Sequence, residues 1–274
     1  MGLAPNPKPR HVWGMSEAIA LSDRALIAVS GPDWRSFLQG LISQDVLTLR
    51  DGELRYGLLL SPQGRILYDL FILGTGDGCL LDVPAAGRDA LMLKLKIYKL
   101  RAQVQIAADD RPVAARLDGG DGEGWLADPR LAALGSRAYG VEGGPGLGIY
   151  EAHRLALGVP GPADWGEDKL YALEADLDHL NAIDFHKGCF IGQETASRMK
   201  RRGQVKSRTL PVAYDGPAPA PGAEVRAGEH RAGEILSVGE GRALALLRLD
   251  RIEGEALSAE GRPLAVQRPD WLAI

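Results

Sequence analysis

Cysteine is scarce: Cys79 and Cys189 are the two thiols in 274 residues, and they show no pairing pattern. A disulfide framework is thereby excluded, and a reducing compartment is the natural setting. Long apolar runs are lacking, since none approaches the ~18–20 residues that a membrane span needs. Charge of one sign is lacking too. Lys and Arg total 32 against 36 Asp and Glu, a formal net charge of −4, which gives no general attraction to nucleic acid or an anionic membrane. The five histidines are scattered, and nothing resembles a CxxC or HExxH pattern. His186 and Cys189 stand three apart, a usable ligand spacing, but no second pair accompanies them, so no metal site is expected within one chain. A lone exposed cysteine could still touch a metal cluster transiently. A P-loop, a dinucleotide fingerprint and a Ser-His-Asp order are missing as well, and Gly74-Thr75-Gly76 reads as a turn. Residues 1–11 hold three prolines and no apolar core, so a secretory signal is not expected there and the segment reads as a frayed lead-in. A bacterial-type cytoplasmic location is the expectation, with an organelle matrix after removal of a transit peptide as the alternative.

What is present is an ordinary globular composition, 45% hydrophobic and 25% charged, long enough to bury a sizeable core. Residues 25–29 form a short apolar strand, and Ser30-Gly31-Pro32-Asp33 then supplies helix-start chemistry. Trp34, Phe37, Leu38, Leu41 and Ile42 fall on one helical face. Strands are expected over 54–60 and 65–73, joined by a turn at 61–64, then over 79–83 and 103–107, with a helix over 87–99 between them. Residues 109–147 are rich in glycine, alanine and aspartate and show no strong periodicity. A helix is expected over 150–157, ending at Gly158. After Lys206 the chain breaks into short apolar segments between glycine turns, the pattern of a small β-barrel or sandwich, with 217–222 as one of its loops. The class is α+β, with an α+β region over 1–206 in two interleaved lobes and a C-terminal β-barrel over 207–274.

One octapeptide concentrates chemistry: Lys187-Gly188-Cys189-Phe190-Ile191-Gly192-Gln193-Glu194. Its glycines suggest a backbone that turns tightly or approaches something closely. A helix is expected to open at Glu194, which sets Cys189 just ahead of a helix N-terminus, beside Lys187, where a thiolate is stabilised. A tight turn holding a buried cysteine is the plainer reading. Downstream, Arg198, Lys200, Arg201, Arg202, Lys206 and Arg208 put six cations into eleven residues. They form either a solvated face or an anion site, and arginine suits planar carboxylates. Nucleic acid is the weaker reading, because no aromatic interrupts the run between Met199 and Lys206.

Lys-Gly-Cys-aromatic-x-Gly-Gln-Glu resembles the signature of the YgfZ proteins, folate-binding factors for iron–sulfur protein maturation and relatives of the glycine-cleavage T-protein, an aminomethyltransferase. Three weaker matches accompany it in order: residues 37–46 resemble the family's early helix, 63–69 its glycine–acid hairpin and 98–104 its helix-to-strand junction. The resemblance implies a multi-lobed T-protein-like fold with tetrahydrofolate, or a one-carbon derivative, as cofactor. It assigns chemistry to Cys189, Lys187 and Asp69. It assigns folate contacts to Asp69, Arg65, Glu174, Gly188, Gly192, Gln193, Glu194 and Arg198. Asp69 matches the T-protein acid that lies beside the folate nitrogens and handles a proton there; the bare alternative is a solvent-facing aspartate. Where the T-protein has a pterin-binding glutamate, this chain has Ala156, which weakens the case for aminomethyl transfer, and the T-protein loop lacks the cysteine. The implied function is a folate-binding accessory factor for assembly or repair of iron–sulfur enzymes, with client proteins or assembly machinery as partners. A one-carbon transferase is the alternative, and an RNA- or protein-binding module a second one.

Overall fold

A computed structural model describes residues 17–119, 122–203 and 205–273. The 1–11 segment lies outside the described residues. Strands β1 (Ile19–Ala20) and β2 (Arg24–Ser30) lead into helix α1 (Trp34–Gln39). The helix is shorter than its apolar spacing suggests, ending at Gly40. Ile42 still reaches the core, because its amide bonds back to the Leu38 carbonyl. Strands β3 (Leu54–Leu60), β4 (Ile66–Gly74) and β5 (Gly78–Pro84), helix α2 (Arg88–Lys99) and strand β6 (Gln105–Asp109) follow. Their strands form an antiparallel sheet in the order β3-β4-β5-β2-β6. Successive side chains on a strand point to opposite faces. One face, with Ile27, Leu59, Leu70 and Ile72, packs on Trp34 and Leu38 of α1 and on Leu91 and Leu95 of α2. The other face carries Tyr56, Leu58 and Phe71 into a second core.

The segment without periodicity contains β7 (Val113–Arg116), β8 (Trp125–Ala127) and β9 (Ser136–Tyr139), which pair with β1 in the order β1-β7-β9-β8. Strands of three or four residues are too short to display a period of two. Helices α3 (Leu147–Ala156) and α4 (Pro162–Trp165) precede an irregular stretch whose Leu170, Leu173, Leu177 and Leu180 fill the second core. Helix α5 (Gln193–Arg202) closes that part. The remainder is a closed six-stranded barrel built from β10 (Ser207–Ala213), β11 (Glu224–Ala227), β12 (His230–Gly239), β13 (Arg242–Arg248), β14 (Leu257–Ala259) and β15 (Arg262–Val266), with a short α6 (Leu249–Ile252). It is tied to the rest where Trp271 Nε1 donates to the Leu157 carbonyl at 2.8 Å and Arg208 donates to Asp178 at 2.6 Å.

Between the two sheets lies a buried charge network. Arg137 on β9 donates to Asp82 on β5 at 2.6 Å. Arg24 on β2 donates to the other oxygen of Asp82 at 2.6 Å and to both oxygens of Asp69 on β4 at 3.1 Å. Arg130 pairs with Asp128 at 2.7 Å and donates to the Tyr150 hydroxyl at 2.7 Å. All three guanidinium groups approach the Phe71 ring, Arg137 to 3.8 Å of its centre. Burial pushes the Asp82 carboxyl up, but Arg137 and Arg24 outweigh it and hold the group below its ordinary range. Its stabilisation is therefore complete above the unfolded carboxylate value of ~3.9 and is lost as pH falls below it. Removing one partner of a buried pair strands the other charge. Arg137→Met is expected to lower unfolding free energy by about 3–5 kcal/mol in urea titration; a change of under about 1 kcal/mol would show that the network is dispensable.

Candidate functional site

The octapeptide runs from a loop into α5 and is fixed at both ends, with Gly188 and Cys189 exposed between the anchors. At its start the Lys187 ammonium is turned inward and donates to the carbonyls of Gln39 at 2.9 Å, Ile42 at 2.6 Å and Gln44 at 2.8 Å. Gln39 is the last residue of α1, and Ile42 and Gln44 lie in the chain just beyond it. The same two segments share further bonds. Ser43 Oγ donates to the Ala182 carbonyl at 2.5 Å, Gln44 Nε2 donates to the Asn181 carbonyl at 2.9 Å, and the Asp184 amide donates to the Ser43 carbonyl at 3.0 Å. The 37–46 motif is thus the seat of the loop. Lys187 is a strut of that seat, so the cation expected beside the thiol is committed elsewhere.

At the far end Gly192 adopts φ +82, a conformation that favours glycine. A Cβ there would come within 2.7 Å of the Ser61 carbonyl and 3.1 Å of the Gly64 Cα. The hairpin turn at 61–64 therefore presses directly against the loop, and both glycines are required by that approach. Phe190 inserts into the core with Ala196 of α5. Between these anchors Gly188 and Cys189 are exposed, whereas Cys79 is buried in the sheet, where burial pushes its thiol up. The reading of a turn around a buried cysteine is overturned.

The remaining expected residues fall in other places. Asp69 is buried, with its oxygens taken by Arg24 and, at 3.4 Å, by the Tyr56 hydroxyl, so it is no solvent-facing aspartate. The cavity it lines is about 20 Å3, shared with Arg24, Phe71, Arg130, Arg137 and Tyr150, and no residue of 187–194 lines it. That volume holds about one water molecule, whereas small-molecule ligand sites run upward from roughly 300 Å3. The residues present do not fit tetrahydrofolate at Asp69. Arg65 Nη1 donates to the Lys169 carbonyl at 2.6 Å and lies over the Tyr171 ring. Glu174 accepts from the Tyr171 amide at 3.1 Å; burial raises its carboxyl, opposed by that bond and by Arg65. Ala156 is exposed at the end of α3. Among the six cations, Arg208 is turned inward to Asp176 and Asp178, so it belongs to no surface anion site. Arg198 and Glu194 are exposed and 3.9 Å apart on α5. Among the described residues no group of three or more His, Cys, Asp or Glu side chains is arranged to hold a metal ion.

A groove of about 630 Å3 runs beside the loop, lined by Phe185, His186, Gln193, Glu194, Ser197, Lys200 and Arg201. Sequence reasoning named Gln193, Glu194 and the two cations but missed Phe185 and Ser197. The helical spacing 193, 197, 200 was the available signal.

Residues 206–274 match the C-terminal β-barrel domain of CAF17. Iron–sulfur cluster assembly factor IBA57, mitochondrial, of Mus musculus is 30% identical, covering 98% of this chain and 88% of its own length. The chain belongs to the IBA57 family. The Homo sapiens protein of that name is also 30% identical, over 92% of this chain and 84% of its own length. The crystal structure of glycine cleavage system aminomethyltransferase T from Bartonella henselae aligns with a TM-score of 0.77, 19% identity, and coverage of 93% of this chain and 86% of that one. The T-protein-like fold read from the motifs is therefore the fold of this family member. The relatives named here are iron–sulfur cluster assembly factors.

Lys187 also sets a pH signature. Burial lowers its ammonium to about 8, against opposing pulls from Asp45 and Asp184. The unfolded lysine keeps its proton to ~10.4, so the unfolded chain holds more protons between the two values, and the residue's contribution to stability grows as pH rises through that window. Lys187→Met, which strips three carbonyls of their donor, is expected to cost about 1–3 kcal/mol at neutral pH. Denaturant titrations at several pH values should show the deficit widening between about 8 and ~10.4; a shrinking deficit would contradict the lowering by burial and show that the three carbonyls hold the proton on.

Proposed function

We propose that this chain is an accessory factor in the assembly or repair of iron–sulfur proteins, and that it acts through Cys189. The observation that carries the reading is the exposed thiol on a loop fixed at both ends, by Lys187 and by the Gly64–Gly192 approach. Membership of the IBA57 family supplies the process. Clusters are held mainly by cysteine thiolates, commonly four of them. The other cysteine of this chain is buried, so the chain offers one thiolate and a partner must supply the remaining ligands. The cluster is then cargo that Cys189 contacts while another protein holds it.

A reduced folate, the cofactor implied by the sequence resemblance, is left out of this reading. The place where the T-protein acid would meet it is filled by arginine–carboxylate pairs. The same closure counts against aminomethyl transfer, which needs the folate at Asp69. Two unpaired thiols support a reducing compartment, and the cytoplasm is our reading for this chain; the relatives named above are mitochondrial.

Two measurements test the proposal. Cys189→Ser should melt at the temperature of the unaltered protein yet fail to restore iron–sulfur enzyme activity in cells lacking the native protein; full restoration would sink the role of the thiol. Isothermal titration with tetrahydrofolate should give no saturable heat. A saturable response that Asp69→Asn abolishes would return folate to the centre of the fold.

A further inference from the structure

Helix α5 has two faces. Thr195 touches Gly64, while Ala196 and Met199 pack into the core, which fixes the helix in place. The opposite face, Gln193, Glu194, Ser197, Lys200 and Arg201, forms one wall of the groove, and Phe185 and His186 form the other. Lys200 Nζ sits 3.8 Å from the centre of the Phe185 ring, so its charge is presented over an aromatic surface. Arg201 donates only to a carbonyl of its own helix, Ser197. Among the described residues neither cation forms an ion pair. Glu194 lines the groove too but faces Arg198 at 3.9 Å, so Lys200 and Arg201 leave the groove a net positive charge in a chain that is slightly acidic as a whole. Position gives it meaning: Cys189 follows His186 by three residues and precedes Gln193 by four. Extended chain spans at most about 11 Å and about 14 Å over those intervals, so the near end of each wall, at His186 and at Gln193, lies within that reach of the Cys189 backbone.

We propose that this groove seats an acidic segment of the partner protein whose cluster Cys189 contacts. The inference rests on the accessory-factor reading above and names the partner surface for it. Carboxylates of the segment pair with Lys200 and Arg201, and its apolar side chains cover Phe185. Rim charges of this kind steer encounter and fix register, which brings the partner's cluster to one thiol rather than to the surface at large.

The test uses the full chain and a fluorescein-labelled helical peptide rich in glutamate with one leucine per turn. Fluorescence anisotropy should show saturable binding that weakens with salt and is about tenfold weaker for the double variant Lys200→Glu, Arg201→Glu. That variant should bind a lysine-rich peptide of the same design instead. Both positions are exposed, and an unchanged melting temperature would show that folding is intact. Equal affinity of variant and unaltered chain for the acidic peptide would overturn the proposal. Displacement of the peptide by single-stranded RNA or by tetrahydrofolate would overturn it too, by assigning the groove to another ligand. Complementation separates this inference from the one beneath it. Loss of activity in both Cys189→Ser and the charge-reversed variant supports the docking groove. Loss in Cys189→Ser with full activity in the charge-reversed variant removes the groove and leaves the thiol. Full activity in Cys189→Ser removes the accessory-factor reading itself.

Discussion

Three guanidinium groups gathered around one phenylalanine ring tie the two sheets of this molecule together. Arg24, Arg130 and Arg137 surround Phe71, and Asp69, Asp82 and Asp128 answer their charges. The set is neutral, three against three, and it joins β2, β4 and β5 of one sheet to β9 of the other. Burying so many charges is tolerable only because each is paired and hydrogen-bonded; an unpaired member would be costly. The Tyr56 and Tyr150 hydroxyls take up further lone pairs and donors. A centre filled this way leaves a cavity of about 20 Å3 at Asp69.

With the centre closed, the proposed chemistry lies at the rim. The 187–194 loop is built to present one thiol. Its first anchor is electrostatic, a lysine at a helix C-terminus, and its second is steric, a pair of glycines in contact. Neither anchor touches Cys189, which leaves the sulfur free for a partner. The adjoining groove on α5 gives such a partner a surface of defined charge. One fold therefore separates a closed, charge-paired interior from an exposed thiol.

Much of this was legible in the chain. Alternation and turn residues predicted β3, β4 and β5, and helical spacing predicted α2. Glycine-separated apolar runs predicted the barrel, though β11 and β14 were too short to register. The octapeptide marked the loop that exposes Cys189, and the 37–46 segment was read as an early helix, with no sign that it would bond to that loop. Three things could not be read. Lys187 looked like a neighbour of the thiol because it is two residues away, but tertiary contacts with 39–44 turned it inward. Asp69 looked like a lone acid among apolar residues, and only the fold could show that Arg24 lies across from it, 45 positions earlier. Arg208 sat within a run of cations, yet strand β10 carries it to Asp178 in the interior. In each case the deciding partner is remote in sequence, and local pattern carries no record of it.

The central claim is that Cys189, and not Cys79, meets an iron–sulfur cluster held by another protein. Two cysteines make this directly observable, because labelling with 13C-cysteine gives two resolvable signals. On adding a cluster-loaded [2Fe–2S] assembly protein, the Cys189 signal should be broadened by the paramagnetic centre while the Cys79 signal stays unchanged. The cluster-free form of that protein should broaden neither. If the Cys189 signal is unaffected at saturating cluster-loaded protein, or if Cys79 responds instead, the account is wrong.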